Sequence, residues 1–211
     1  MLRAIAFLGA ALLVAAHPAE RILEHDLTVI LQEALAPYDP TVIDAVSDLN
    51  VVTDHSSFTF NANSVETSGF SKLEVTNFVP PIPYVSHSVA MTLSIPRLAF
   101  HTLDYTLVGT HNGQAVTHAG AGDVTMNVFG VQVKFKTESF SLDPISVCVE
   151  HGTLTMDLSV DTIDAALEGA DEINSDIIAD GPALLEGVEQ TLNANADNIV
   201  NQINNALCVV R

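Results

Sequence analysis

Two different periods of apolar spacing divide the chain. From Glu20 to Ala36 the residues Ile22, Leu23, Leu27, Ile30, Leu31, Ala34 and Leu35 recur at steps that put them on one face of a helix. Pro37 and Pro40 end that helix, because proline lacks the N–H that a helix interior needs. A shorter helical turn is expected from Thr41 to Leu49. From Ser57 the period becomes two. Phe58 and Phe60 alternate with Thr59 and Asn61, and the pattern runs unevenly to Val75. The three prolines of VPPIPYV (Val79 to Val85) exclude a central strand and predict a rigid connection. Beyond it Val89, Met91, Leu93 and Ile95 alternate, Pro96 breaks the pattern, and Leu98, Phe100, Leu103, Tyr105 and Leu107 continue it. A strand this long bends, and a proline or a bulge is where it does so.

Asn112-Gly113 predicts a tight hairpin. The returning strand is interrupted by GAGD (Gly120 to Asp123). It resumes with Val124, Met126 and Val128, and after a phase shift at Gly130 continues through Val131, Val133 and Phe135. Ile145–Val149 and Leu154–Val160 read as a further strand pair. From Thr162 to Gly181 the pattern is mostly helical, Gly181-Pro182 breaks it, and a closing helix runs from Leu184 to Cys208. Its apolar stripe (Leu185, Val188, Leu192, Ala196, Ile199, Ile203, Leu207) is long and narrow, and its other side is Asn, Gln, Asp and Glu without Lys or Arg.

Helix, long antiparallel strands, then helices is an α+β order. The expected architecture is a long curved antiparallel sheet wrapped around the N-terminal and C-terminal amphipathic helices, an elongated half-barrel or tube. Its wall would hold more apolar surface than its own side chains fill. The residues expected to face that space are Leu27, Ile30 and Leu31 from the first helix. The strands add Met91, Leu93, Phe100, Tyr105, Leu107, Met126, Val128, Val133, Phe135, Met156 and Leu158. Leu185, Val188, Leu192, Ile199 and Ile203 come from the last helix. A slip of one residue in register would exchange inward and outward positions. Plain core packing is the alternative for each of these residues. The methionines suit variable contents, since their side chains adapt to irregular contacts. Tyr84, Tyr105 and the nearby histidines are the polar groups expected at a mouth.

Composition adds the compartment. Met1 and Arg3 precede an apolar run from Ala4 to Ala16, the form of a secretory signal too short to span a membrane comfortably. Residues 1–16 are therefore read as a signal peptide and 17–211 as one module, secreted to the extracellular space. Cys148 and Cys208 are expected to pair, closing a loop of 60 residues worth about 4 kcal/mol in the chain-entropy model. The alternative is two buried free thiols. Seven Lys and Arg stand against 26 Asp and Glu, a net charge of −19. Such a chain is repelled by nucleic acid and by anionic membrane surfaces, and the charge keeps apolar surface dispersed.

No chemistry-bearing motif stands out. The eight histidines do not cluster at zinc spacing. Asp157, Asp161 and Asp164 lack the Gly and bidentate Glu of a calcium loop. There is no Gly-x-Ser-x-Gly and no phosphate-cradling loop. The expectation is a protein without enzymatic activity, metal or cofactor, whose partner is a small hydrophobic molecule. An apolar mouth could also pair with a second copy as a homodimer.

INSDIIADGPALLEGVEQTLNANADNIVNQINNAL (Ile173 to Leu207) resembles the pair of late helices, broken at Gly-Pro, of the tubular lipid-binding superfamily. That superfamily includes bactericidal/permeability-increasing protein and its airway relatives, the takeout and juvenile-hormone-binding proteins, and the mite group 7 allergens. The order of elements is similar over nearly the whole mature chain. The strand-to-helix cysteine pair is similar to that of the bactericidal and airway branch. The resemblance implies a carrier of an elongated hydrophobic ligand such as a lipid, terpenoid or carotenoid. The acidic balance departs from the cationic endotoxin-killing members. Two alternatives are a surface-active or structural secreted protein and an innate-immune binder of microbial lipid.

Overall fold

A computed structural model of the chain describes residues 24–81, 86–142 and 145–208, without the side chains at 30, 34, 140–142, 145, 146, 182, 183, 191, 206 and 207. The expected signal segment and Tyr84 lie outside these residues. The order is helix α1 (Glu24–Leu35), then eight strands, then helices α2 (Asp171–Ala179), α3 (Gly181–Ala194) and α4 (Ala196–Leu207). The strands are β1 (Thr41–Val52), β2 (Ser56–Ser68), β3 (Glu74–Val79), β4 (Ser88–His111), β5 (Gln114–Leu142), β6 (Ile145–Val149), β7 (Thr155–Ser159) and β8 (Thr162–Leu167). The α+β class and the antiparallel pairing are as the spacing predicts.

The spine is the hairpin of β4 and β5, 24 and 29 residues long. Asn112 and Gly113 turn it with φ of 48° and 76°, the positive values that a two-residue hairpin requires at both positions. β2 and β3 pair along the far edge of β4, and β1 pairs beyond β2. β7 and β8 pair along the far edge of β5, and β6 pairs with its last residues.

Both spine strands change the parity of their inward residues at the same level. On β4, Val89, Met91, Leu93 and Ile95 are buried, Pro96 and Arg97 are exposed, and Leu98 is buried again. Ile95 faces Phe129 and Arg97 faces Asn127, so Pro96 stands opposite Val128. Val128 has φ of 51° and is 47% exposed. The expected phase shift at Gly130 thus occurs at Val128, which points outward rather than into the interior. Gly130 serves a close approach instead, since a Cβ there would run into Ser159 Oγ on β7. A second irregularity between Thr102 and Tyr105 turns Leu103 out to 79% exposure and returns Tyr105 and Leu107 to the core.

Three further segments differ from expectation. Thr41–Leu49 is strand, not helical turn. A bulge between Val46 and Leu49, with Asp48 at φ of 54°, stretches the inward spacing to three and imitates a helix. Thr162–Leu167 is strand β8, in which Ile163, Ala165 and Leu167 alternate inward. Ile145–Val149 and Thr155–Ser159 each pair with β5, not with each other. The closing helix is two helices, broken at Asn195.

The half-barrel or tube wrapped around its helices is not what the chain forms. The sheet stays open, with β1 at one end of its order and β6 at the other, and the helices stand beside strand edges. The reason lies in who takes the edge hydrogen bonds. β3, β6, β7 and β8 each pair with a strand on one side only. A helix covers the other side of each with polar side chains. On β3, the Val75 N–H donates to Thr28 Oγ1 (2.8 Å), and Gln32 Nε2 donates to the carbonyl of Leu73, the residue just before the strand (3.0 Å). On β8, Asn174 accepts from the Leu167 N–H (2.8 Å) and donates to its carbonyl (2.9 Å). On β7, Asn193 does the same with Met156 (both 2.8 Å), and Glu189 accepts from the Leu158 N–H (2.8 Å). On β6, Asn204 accepts from the Val149 N–H (2.7 Å) and donates to its carbonyl (2.9 Å). A carboxamide carries a C=O and N–H donors in one plane, as a neighbouring peptide would. Four helical residues advance about 6 Å and two strand residues about 6.6 Å. Glu189 and Asn193 therefore match Leu158 and Met156, as Thr28 and Gln32 match Val75 and Leu73.

Cys148 and Cys208 form a disulfide with Cα atoms 4.6 Å apart, fastening the end of α4 to β6. Asn193→Ala and Asn204→Ala are each expected to lose about 2 kcal/mol, since each strands a buried N–H and carbonyl, read as the shift in urea midpoint. Asn193→Asp keeps the acceptor but sets a carboxylate against the Met156 carbonyl, and should be at least as unstable at neutral pH. Replacing both cysteines by serine should cost about 4 kcal/mol through the freed 60-residue loop, in the same measurement.

Candidate functional site

The edge clamps orient the helices about their axes. Each clamping residue follows, by one position, a residue that faces the interior: Leu31 before Gln32, Val188 before Glu189, Leu192 before Asn193, Ile203 before Asn204. Successive residues lie about 100° apart around a helix. Binding one to the strand edge therefore turns its predecessor toward the sheet.

What these residues face is a cavity of about 160 Å³ between the sheet and α1, α3 and α4. The sheet contributes two rows of side chains. Met91, Val133 and Met156 stand side by side on β4, β5 and β7, and Leu93, Val131 and Leu158 form the next row. Phe129 and Phe135 extend the wall along β5, and Val147, Val149 and Leu154 close it beyond. Leu31, Val188, Leu192, Ile199 and Ile203 complete it from the helices, with Leu73 beside Leu31. All seventeen of the described lining residues are apolar.

Of the residues expected to face a ligand, Leu31, Met91, Leu93, Val133, Phe135, Met156, Leu158, Val188, Leu192, Ile199 and Ile203 lie on this wall. Leu27 packs instead with Leu35, Leu73 and Val75 in the core under α1. Tyr105, Leu107 and Leu185 belong to a separate cluster around α2, and Phe100 and Met126 bridge that cluster and the core under α1. Val128 points outward, and the side chain of Ile30 lies outside the described residues. Leu73, Phe129, Val131, Val147, Val149 and Leu154 were not among the expected lining. Val131 continues the alternation of Val133 and Phe135, so its signal was in the sequence. Phe129 turns inward only because of the backbone at Val128.

Of the polar groups expected at a mouth, Tyr84 lies outside the described residues, and Tyr105, His111 and His118 are engaged elsewhere. Tyr105 is fully buried, stacked on Phe60 at 5.7 Å, and its hydroxyl donates to the Glu168 carbonyl at 2.7 Å. Burial pushes its pKa up, and the charges of Glu168 and Glu172 add to the rise. His111 and His118 reach two acids one turn apart on α2. His111 Nδ1 is 3.0 Å from Asp176 Oδ2, and His118 Nε2 is 3.0 Å from Glu172 Oε1, at an angle unsuited to a hydrogen bond. Ser56 donates to the same Asp176 oxygen and is 3.0 Å from His111 Nδ1.

Ser56, His111 and Asp176 have the residue types of a nucleophilic triad but not its geometry. Hydroxyl and carboxylate share one ring nitrogen, and Nε2 faces Asn112 Nδ2 at 2.8 Å, so the ring does not stand between acid and hydroxyl as a triad histidine does. Among the described residues no group of three His, Cys, Asp or Glu could hold a metal ion. Asp164 accepts from Asn127 and Asp157 pairs with Lys134. No helix of the described residues is long and apolar enough to cross a membrane.

No family model matches the chain, and no curated protein matches it. Among solved structures it is similar to Takeout 1 of Epiphyas postvittana, at 12% identity and a TM-score of 0.46, over 95% of this chain and 84% of that one. It is similar to lipopolysaccharide binding protein at 9% identity and a TM-score of 0.34, over 79% of this chain and 36% of that one. Both are loose likenesses, and neither assigns the chain to a family.

The Glu172 carboxyl is held below the usual carboxylate range. A hydrogen bond from its own backbone N–H acts most strongly, desolvation opposes it, and the His118 and His111 rings add to the lowering. A depressed folded pKa contributes stability above the unfolded value, and that stability is lost as the pH falls through the folded value. The stability difference between the wild type and Glu172→Gln should therefore be present at neutral pH and vanish on acidification through the carboxylate range, measured by urea denaturation at each pH.

Proposed function

We propose that this chain is a secreted, non-catalytic carrier that holds an apolar molecule non-covalently in the cavity between its sheet and α1, α3 and α4. One observation supports this reading above the others, the cavity itself. Protein interiors are packed to crystal density, with few voids larger than a water molecule. At about 24 cal/mol per Å³, a void of 160 Å³ costs about 4 kcal/mol. An apolar void is not relieved by water, because water there finds no polar partners. A hydrophobic occupant relieves it, and burying each of its methylenes contributes about 0.8 kcal/mol.

The signal-like apolar run at Ala4–Ala16 and the disulfide support secretion, since such bridges persist in oxidising compartments. The net charge of −19 keeps a carrier with apolar cargo dispersed and away from anionic surfaces. The Ser56–His111–Asp176 group is not strung in the order of a nucleophilic triad.

Native mass spectrometry and solvent extraction of the purified chain should reveal a bound apolar molecule, and the emptied protein should take up a fluorescent apolar probe. Val188→Phe and Leu192→Phe narrow the cavity. They should weaken probe binding at least about tenfold, roughly one methylene-to-phenyl clash, while thermal stability holds. A chain that carries nothing and binds no probe would refute the carrier reading. Strong lowering of surface tension by such a chain, unchanged in Val188→Phe, would favour a surface-active protein instead.

A further inference from the structure

We infer that the occupant of this cavity is a compact aromatic or branched hydrocarbon group of about six to ten carbons, with no polar atom in its buried part, rather than an extended acyl chain. The inference rests on the carrier reading and narrows it by size and by polarity.

Size comes first. The cavity measures about 160 Å³. An engineered apolar cavity of about 150 Å³ takes benzene, whereas pockets for larger ligands run from about 300 Å³ upward. A single ring or a small branched skeleton fits the space. A sixteen-carbon chain does not.

Polarity is the stronger constraint. Among the described residues, no lining side chain carries a polar group. The backbone groups around the wall are also taken. Asn193 holds both the N–H and the carbonyl of Met156, Asn204 holds those of Val149, Glu189 holds the Leu158 N–H, and Gln32 holds the Leu73 carbonyl. The clamps that fix the helices thus also consume the donors and acceptors that could have anchored a hydroxyl or a carboxylate. Tyr105, His111 and His118 are engaged around α2, in a separate cluster. A polar atom carried into the cavity would lose its hydration and find no partner, which is costly.

The wall also favours a polarisable guest. Met91 and Met156 flank Val133 in one row, with Phe129 and Phe135 on the same strand. Thioether sulfur and ring edges make favourable contacts with an aromatic ring.

The test uses the full chain with its disulfide intact and three probes, toluene, phenol and palmitate, followed by calorimetric titration and by methyl NMR of the methionines. The expected result is one toluene per chain with shifts at Met91 and Met156, phenol weaker by at least about tenfold, and no displacement of toluene by palmitate. Phenol binding as tightly as toluene would overturn the polarity argument. Palmitate binding one to one and displacing toluene would overturn the size argument, while leaving the carrier reading in place. If toluene, phenol, palmitate and the fluorescent probe all fail to bind, the carrier reading falls and this inference with it.

Discussion

An asparagine carboxamide bonded to both polar groups of one strand residue is the interaction on which this structure depends. It occurs on β6, β7 and β8 through Asn204, Asn193 and Asn174, and Thr28 with Gln32 divides the same work on β3. An open strand edge is a row of unpaired donors and acceptors, available to any other chain. Here each short edge is satisfied by a helix. That removes the drive for the sheet to close on itself, because closure would supply bonds the edges already have.

The helices need these attachments. α1 and α2 open with acidic residues, Glu24 with Asp26 and Asp171 with Glu172, which suit the positive end of the helix dipole. No basic residue lies in the last turn of α1, α2, α3 or α4. No side-chain capping bond closes the first turn of α2 or α4. Helices of nine to fourteen residues are marginal alone in water. Packing of the apolar stripe, the clamps and the Cys148–Cys208 bridge supply what the local sequence does not.

The same arrangement separates two interiors. Around α2, Tyr105, Leu107 and Ile173 are fully buried and polar groups close on one another: Tyr105 on Glu168, Ser56 and His111 on Asp176. That end is tied by polar contacts. Under α3 and α4, apolar side chains from four strands surround a space they do not fill. Polar contacts gather at one end and an unfilled apolar wall lies at the other, where the clamps occupy the backbone groups of Met156, Val149, Leu158 and Leu73.

Local pattern was enough for α1, whose Leu27, Leu31 and Leu35 recur every four residues, and for the hairpin, whose Asn112-Gly113 tolerates positive φ. The break at Pro96 and the cysteine pair could also be read from residue types alone. The inward phase of β4 before that break was legible, and with it Met91 and Leu93 on the wall. Other features exist only between segments. The spacing of three in β1 comes from a bulge against β2, and the outward turn of Val128 comes from its place opposite Pro96. β8 is a strand because β5 offers it an edge, despite helix-favouring Ala and Leu. The sequence shows that the last helices have an Asn-rich face. Only the tertiary structure shows those carboxamides acting as peptide partners for β6, β7 and β8, because a hydrogen bond to an edge depends on where the edge is, and no single segment contains that information.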